Sequence, residues 1–145
     1  MINLHPALSG LPLASLIFIC AGEMLVCSKR FRAFRDPIRV AGVCFLVASV
    51  ACAFFSGYSE VTRAGELEQA IEDAMARHHS MGRLLLLNSL ALASFFFIAQ
   101  IASHGRRLLL GLYYLTLCIQ VALTLYVGFL GGELVFKHAV NVVDS

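Results

Sequence analysis

Charge is what this sequence has least of. Only 14% of its 145 residues are Asp, Glu, Lys or Arg, against about a quarter in soluble domains. Apolar residues make up 59% of the chain, and the mean hydropathy is +0.82. Such a chain is not built for water, and its apolar mass excludes intrinsic disorder. A net charge of +2 is too small to point to nucleic acid. Five Cys is an odd number, they form no CxxC, and they sit inside apolar runs, which excludes a secreted disulfide scaffold. Cys20, Cys27, Cys44, Cys52 and Cys118 read as reduced, small apolar fillers. No P-loop, GxSxG or GxGxxG after a strand is present, and no nucleophile stands beside a base. The sequence therefore predicts no catalytic site. What remains is an integral membrane protein.

Four apolar stretches define it, at about 8–27, 40–58, 84–102 and 108–130. A membrane helix takes roughly 20 apolar residues, so four spans is the economical count. The expected fold is all-α, a four-helix transmembrane bundle forming one domain over residues 1–145, with the lipid bilayer as its first partner. Basic residues set the expected orientation. Lys29, Arg30, Arg32, Arg35 and Arg39 precede or open span two, and Arg106 and Arg107 follow span three. These are seven of the eleven basic residues, so both links should be cytoplasmic and both termini extracytoplasmic. The first basic residue, Lys29, comes after the first apolar core rather than before it. That order predicts a retained helix, not a signal peptide. Within this first span, Pro12 either kinks the helix or marks its true start.

The one sizeable segment outside the apolar runs lies between spans two and three. Over about 66–83 it reads as an amphipathic helix. Leu67, Ile71, Ala74, Met75 and His78 share one face, with Glu66, Glu68, Glu72, Asp73 and Arg77 on the others. No proline interrupts the run into span three, so one long helix from near Gly65 to Ala102 is expected.

Histidine is where chemistry is expected. His5, His78, His79 and His138 fall at the outer end of this topology, and only His104 falls at the cytoplasmic end. His78 lies on the apolar stripe, with Gly82 one turn beyond. His138 shares a face with Leu134 and Val135 if the last helix continues past Gly131 and Gly132. Histidines from three segments at one membrane level could bind a metal, with His78, His138 and His5 as ligands, or supply axial ligands to haem. No HxxxH or HxxE pair fixes a zinc or copper geometry. Without a CxxCH, any haem is non-covalent. The ordinary alternative is that these histidines bond water and lipid headgroups.

The same residues carry a family resemblance. Leu4-His5-Pro6 with Leu11-Pro12 resembles the HPxxVHFPI opening of a family of small bacterial four-helix membrane proteins of unknown function. The run from Gly131 to Val140 is similar to that family's closing GGELVYRHGVGV, and His78 with Gly82 matches a weaker third element. Some members of that family lie fused to or beside cytochromes. The resemblance implies a b-type haem site on His78, His138 and His5, beside Gly82, Gly131 and Gly132, in the bacterial inner membrane. It also implies partners among the cytochrome or other membrane subunits of a redox complex. This sequence departs from the pattern at Gly10, where the family has a second histidine; if that position supplies a ligand, one haem site is either lost or completed by another residue, with His79 the candidate.

Polar residues inside the spans have plainer readings. Glu23, the one acid within a span, should pair with a nearby arginine such as Arg30 or Arg106, with proton-relay or quinone contact as the lesser alternative. Asn88, Gln100 and Gln120 should bond across helices. Gly42, Gly111 and Gly128 should allow close helix packing. Eleven Phe and four Tyr, with no Trp, suit lipid contact or haem edges equally. Two functions follow as expectations: a haem-bearing electron-transfer subunit, or a cofactor-free accessory subunit of a larger membrane complex. A transporter is disfavoured, because there are no inverted repeats and no charged mid-membrane pathway.

Overall fold

The structure, a computed structural model, describes residues 8–61 and 69–138. It contains four α-helices: α1 Leu11–Cys27, α2 Arg35–Val61, α3 Gln69–Ile101 and α4 Arg106–His138. A six-residue 3₁₀ segment, Lys29–Phe34, links α1 to α2. No strand occurs among the described residues. The all-α expectation holds. α2, α3 and α4 are each long and apolar enough to cross a membrane, whereas α1 is a shorter apolar helix. Its 17 residues reach about 25 Å at 1.5 Å each, slightly short of a 30 Å hydrocarbon core. A helix that short is accommodated by local thinning of the bilayer or by its polar flanks.

Helix boundaries follow local chemistry. Gly10 caps α1 and Pro12 sits in its first turn, where a missing N–H costs nothing, so Pro12 marks the start rather than a kink. Pro37 likewise falls in the first turn of α2. α3 is unbroken over 33 residues, about 50 Å, so it outruns the hydrocarbon by roughly 20 Å. The expected outer helix is thus the first part of α3. Ala74 is buried and Ile71, Met75 and His78 are half-buried, while Glu72, Asp73 and Arg77 are exposed; Leu67 lies outside the described residues. α4 passes through Gly131-Gly132 without a break, because neighbouring turns carry it.

α1 packs on α2, α2 on α3 and α3 on α4, with a smaller contact between α1 and α4. Leu46, Leu92, Phe96 and Tyr113 are fully buried at the centre. Two glycines set the α1–α2 distance. A Cβ on Gly22 would lie 2.7 Å from Ile38 Cγ2, and one on Gly42 would lie 2.7 Å from Ile19 Cγ1. Each glycine receives an isoleucine from the facing helix, as small residues do in membrane bundles. Gly111 and Gly128 do not do this: nothing lies within 4 Å of a Cβ on either, because they face outward. Ser15 and Ser49 hydrogen-bond across the same α1–α2 seam at 2.9 Å. Across α3–α4, Asn88 Nδ2 donates to Gln120 Oε1 at 2.6 Å and to the Thr116 carbonyl at 3.0 Å. All five cysteines are free, and four of them lie on the exposed surface. Large apolar side chains also face outward, Ile101 at 85% and Phe136 at 89% exposure. In lipid that outward apolar surface is the comfortable arrangement.

Candidate functional sites at the two ends of the bundle

The antiparallel run of helices gathers two sets of polar residues at opposite ends. One end holds the α1–α2 link and the α3–α4 link, with their arginines. The other holds the start of α3 and the end of α4, with their histidines.

At the histidine end, α3 carries His78 and His79 side by side, and successive helical residues point about 100° apart. They accordingly meet different neighbours. His78 turns to α4, where its Cε1 would lie 3.2 Å from a Cβ placed on Gly131 and its Nδ1 3.8 Å. The ring therefore occupies the space that a side chain at 131 would take. His79 turns to α2, stacking on Phe54 at 4.9 Å between centroids and lying tilted to Tyr58 at 5.4 Å. Gly82 also faces α2, with Phe54 Cδ2 at 3.6 Å from a Cβ there. The expected group thus divides: His78 with Gly131 on one side, His79 with Gly82 on the other. Gly132 has only its own helix's Phe136 within reach.

His138 closes α4, seven residues beyond Gly131 and so on nearly the same helix face, about 10 Å farther along. Its side chain and His5 lie outside the described residues. Among the described residues no three His, Cys, Asp or Glu side chains converge on a metal position. The fit to a haem therefore rests on a single described imidazole set against a bare stretch of neighbouring helix. An imidazole is chemically able to serve as an axial ligand, and the His78 ring itself occupies the space over Gly131. His104 is exposed at the opposite end and bonds Ser103 Oγ through Nδ1 at 3.0 Å.

The basic end is built around Glu23. Its partner is neither Arg30 nor Arg106 but Arg39, one turn into α2. The antiparallel hairpin sets position 23 opposite 39, just as it sets Gly22 opposite Ile38. Arg39 Nε donates to Oε1 at 2.7 Å and Nη2 to Oε2 at 2.5 Å, a bidentate fork. Tyr113 donates its hydroxyl to Oε1 and Tyr114 to Oε2, both at 3.0 Å. Arg39 Nη2 also donates to the Tyr114 oxygen at 2.6 Å. The Glu23 and Arg39 side chains are only 14% and 11% exposed. Such a buried pair is tolerable because every carboxylate lone pair facing the bundle finds a donor. The network also ties α4 to α1, which pack on each other less than neighbouring helices do.

Sequence reasoning gave Glu23 an arginine partner but neither this arginine nor the two tyrosines. The signal available was a lone acid in a span. The rule that would have found Arg39 is hairpin register, which needs the exact length of the α1–α2 link. Tyr113 and Tyr114 carried no signal at all. Gln100, expected to bond across helices, instead lines a cleft at this end with Arg35, Arg39, Ser103, Arg106 and Arg107.

A family model described as predicted membrane protein (DUF2231) matches residues 1–144. No curated protein and no solved structure is detectably similar to the chain. With a match over almost its entire length, and with apolar helices long enough to span a bilayer, this chain belongs to that family of membrane proteins of unknown function.

Proposed function

We propose that the chain is a membrane-embedded subunit carrying b-type haem at the histidine end of its bundle and passing electrons within a larger redox complex. The observation that supports this reading is the His78 imidazole lodged against Gly131, on the α4 face that two turns later bears His138. In this reading His78 and His138 hold the iron, with His5 as the third candidate, and bound haem supplies one-electron transfer. The protein's own part is to orient the imidazoles and keep water from the macrocycle with apolar helix faces. Both termini and the histidine end face outward, and the arginine links face the cytoplasm of a bacterial inner membrane. Partner cytochrome or membrane subunits cover part of the exposed apolar surface.

A visible spectrum of the purified protein, expressed with haem supplied, tests this. A b-type spectrum is expected, lost in His78→Ala and unchanged in His104→Ala. A colourless wild-type protein overturns it.

The second reading, a cofactor-free accessory subunit, is favoured by a different observation. His78 already fills the gap over Gly131, and His79 already stacks on Phe54, so both rings have packing roles without any cofactor. A colourless protein that co-purifies with redox subunits would establish it.

A further inference from the structure

The cleft at the basic end, about 830 Å³, has an unusual wall. It is lined by Arg35, Arg39, Arg106 and Arg107, with Gln100 and Ser103 between them, and no acidic side chain lines it among the described residues. Arg39 is neutralised by Glu23, and Arg35 meets exposed Asp36 at 3.5 Å, a weak contact in water. Among the described residues no carboxylate lies within ion-pair distance of Arg106 or Arg107.

Those two arginines also stand in the first turn of α4, the positive end of the helix dipole, where cations are disfavoured. No acid sits in that turn to offset them. Gly105, at φ +73°, accepts from the Leu109 N–H, which makes it the cap residue, and it brings no side-chain acceptor. Ser103, the nearest candidate for capping, is bonded to His104 instead. The cleft thus concentrates positive charge from side chains and backbone together, with no carboxylate among the described residues to balance Arg106 and Arg107.

Beside this polar wall the cleft is apolar. Leu108, Leu110 and the Tyr114 ring complete it, and Leu108 is 70% exposed. Both kinds of wall lie where the apolar helix α3 ends and α4 begins, at headgroup level for a chain in a bilayer. A free inorganic anion would need only the polar half.

We propose that this cleft binds an anionic phospholipid, its phosphate held by Arg106 and Arg107 and its first acyl carbons lying along Leu108 and Leu110. The site is independent of the haem reading, since it lies at the other end of the bundle. Polar groups such as Gln100 and Ser103 offer hydrogen bonds to the glycerol and phosphate oxygens. Basic pockets between membrane helices recognise lipid headgroups by this same chemistry.

The test uses the full chain, delipidated in a neutral detergent, with native mass spectrometry and thermal unfolding as readouts. Phosphatidylglycerol should bind and raise the melting temperature; phosphatidylcholine should do neither at the same concentration. The R106Q/R107Q variant should bind phosphatidylglycerol roughly 30-fold more weakly, on the usual scale for two arginines at an anionic surface. K29Q/R30Q removes the same charge away from the cleft and should stay within about threefold of wild type. If R106Q/R107Q fails to fold, R107Q alone should lose roughly fivefold. Equal binding of the two lipids, or an unchanged affinity in R106Q/R107Q, would overturn the proposal. Inorganic phosphate reproducing the full stabilisation would overturn the assignment to lipid.

Discussion

The two ends of the bundle solve the problem of polar side chains near lipid in opposite ways. At the basic end, Glu23, Arg39, Tyr113 and Tyr114 satisfy one another through five hydrogen bonds, drawing on three helices. At the histidine end, the described imidazoles are seated by shape: His78 on the bare backbone at Gly131, His79 on the faces of Phe54 and Tyr58. The first arrangement is closed and rigid, and losing any member leaves a charge or a lone pair unmet. The second keeps its rings in place by packing. Strong internal pairing makes Glu23 a fastening between helices.

That contrast can be broken by mutation. The largest effect is expected from Glu23→Ala, which strands Arg39 among buried groups and should cost about 3–5 kcal/mol in unfolding measurements in detergent. The double variant Glu23→Met with Arg39→Met should recover most of that loss, because no charge is left unpaired. Failure to recover would mean the pair contributes more than its own neutralisation.

Next comes Gly42→Ala, whose Cβ would meet Ile19 at 2.7 Å. Overpacking of this kind costs about 1–3 kcal/mol. The same substitution at Gly111 or Gly128 meets nothing and should leave stability within about 0.5 kcal/mol of wild type or raise it. A thermal melt of the three variants side by side checks the contrast.

Tyr113→Phe removes a hydroxyl that donates to a charged acceptor and should cost about 1.5–3 kcal/mol; Tyr114→Phe should cost less, because Tyr114 is 42% exposed. Equal losses would show that the two hydroxyls share the carboxylate evenly despite their different burial.

A small effect is expected at the histidine end. Gly131→Ala needs the His78 ring to give by a few tenths of an ångström, so it should cost about 1 kcal/mol or less. In a His78→Ala background the same change should cost almost nothing, giving a coupling of about 0.5 kcal/mol or more. Additive losses would show that the ring does not rest on Gly131.

Much of the architecture was legible in advance, for one reason. Lipid forces each spanning segment to be an uninterrupted apolar helix, so hydropathy alone locates α2, α3 and α4. The continuity of α3 could be read from a missing proline and a 3.6-residue stripe, and Ala74 and Ile71 fall where that stripe puts them. Asn88 bonding across to α4 also follows from its position in lipid. The glycines were legible only in part. Composition cannot tell a glycine that receives Ile19 from one that faces lipid, and so Gly42 behaved as expected while Gly111 and Gly128 did not.

What the sequence by itself determined is therefore everything governed by local period and by the solvent: helix type, helix number, apolar cores with a single acid among them, and the basic links between them. Tertiary structure decided which residues meet. Glu23 finds Arg39 because the 3₁₀ link has a particular length and sets the register of α1 against α2. His78 and His79, adjacent in the chain, face α4 and α2 because a helix turns about 100° per residue and has a neighbour on each side. Arg35, Arg106 and Arg107 share one cleft because antiparallel helices return the chain to the same membrane face. Each of these depends on distances between residues far apart in sequence, and no local pattern encodes such a distance.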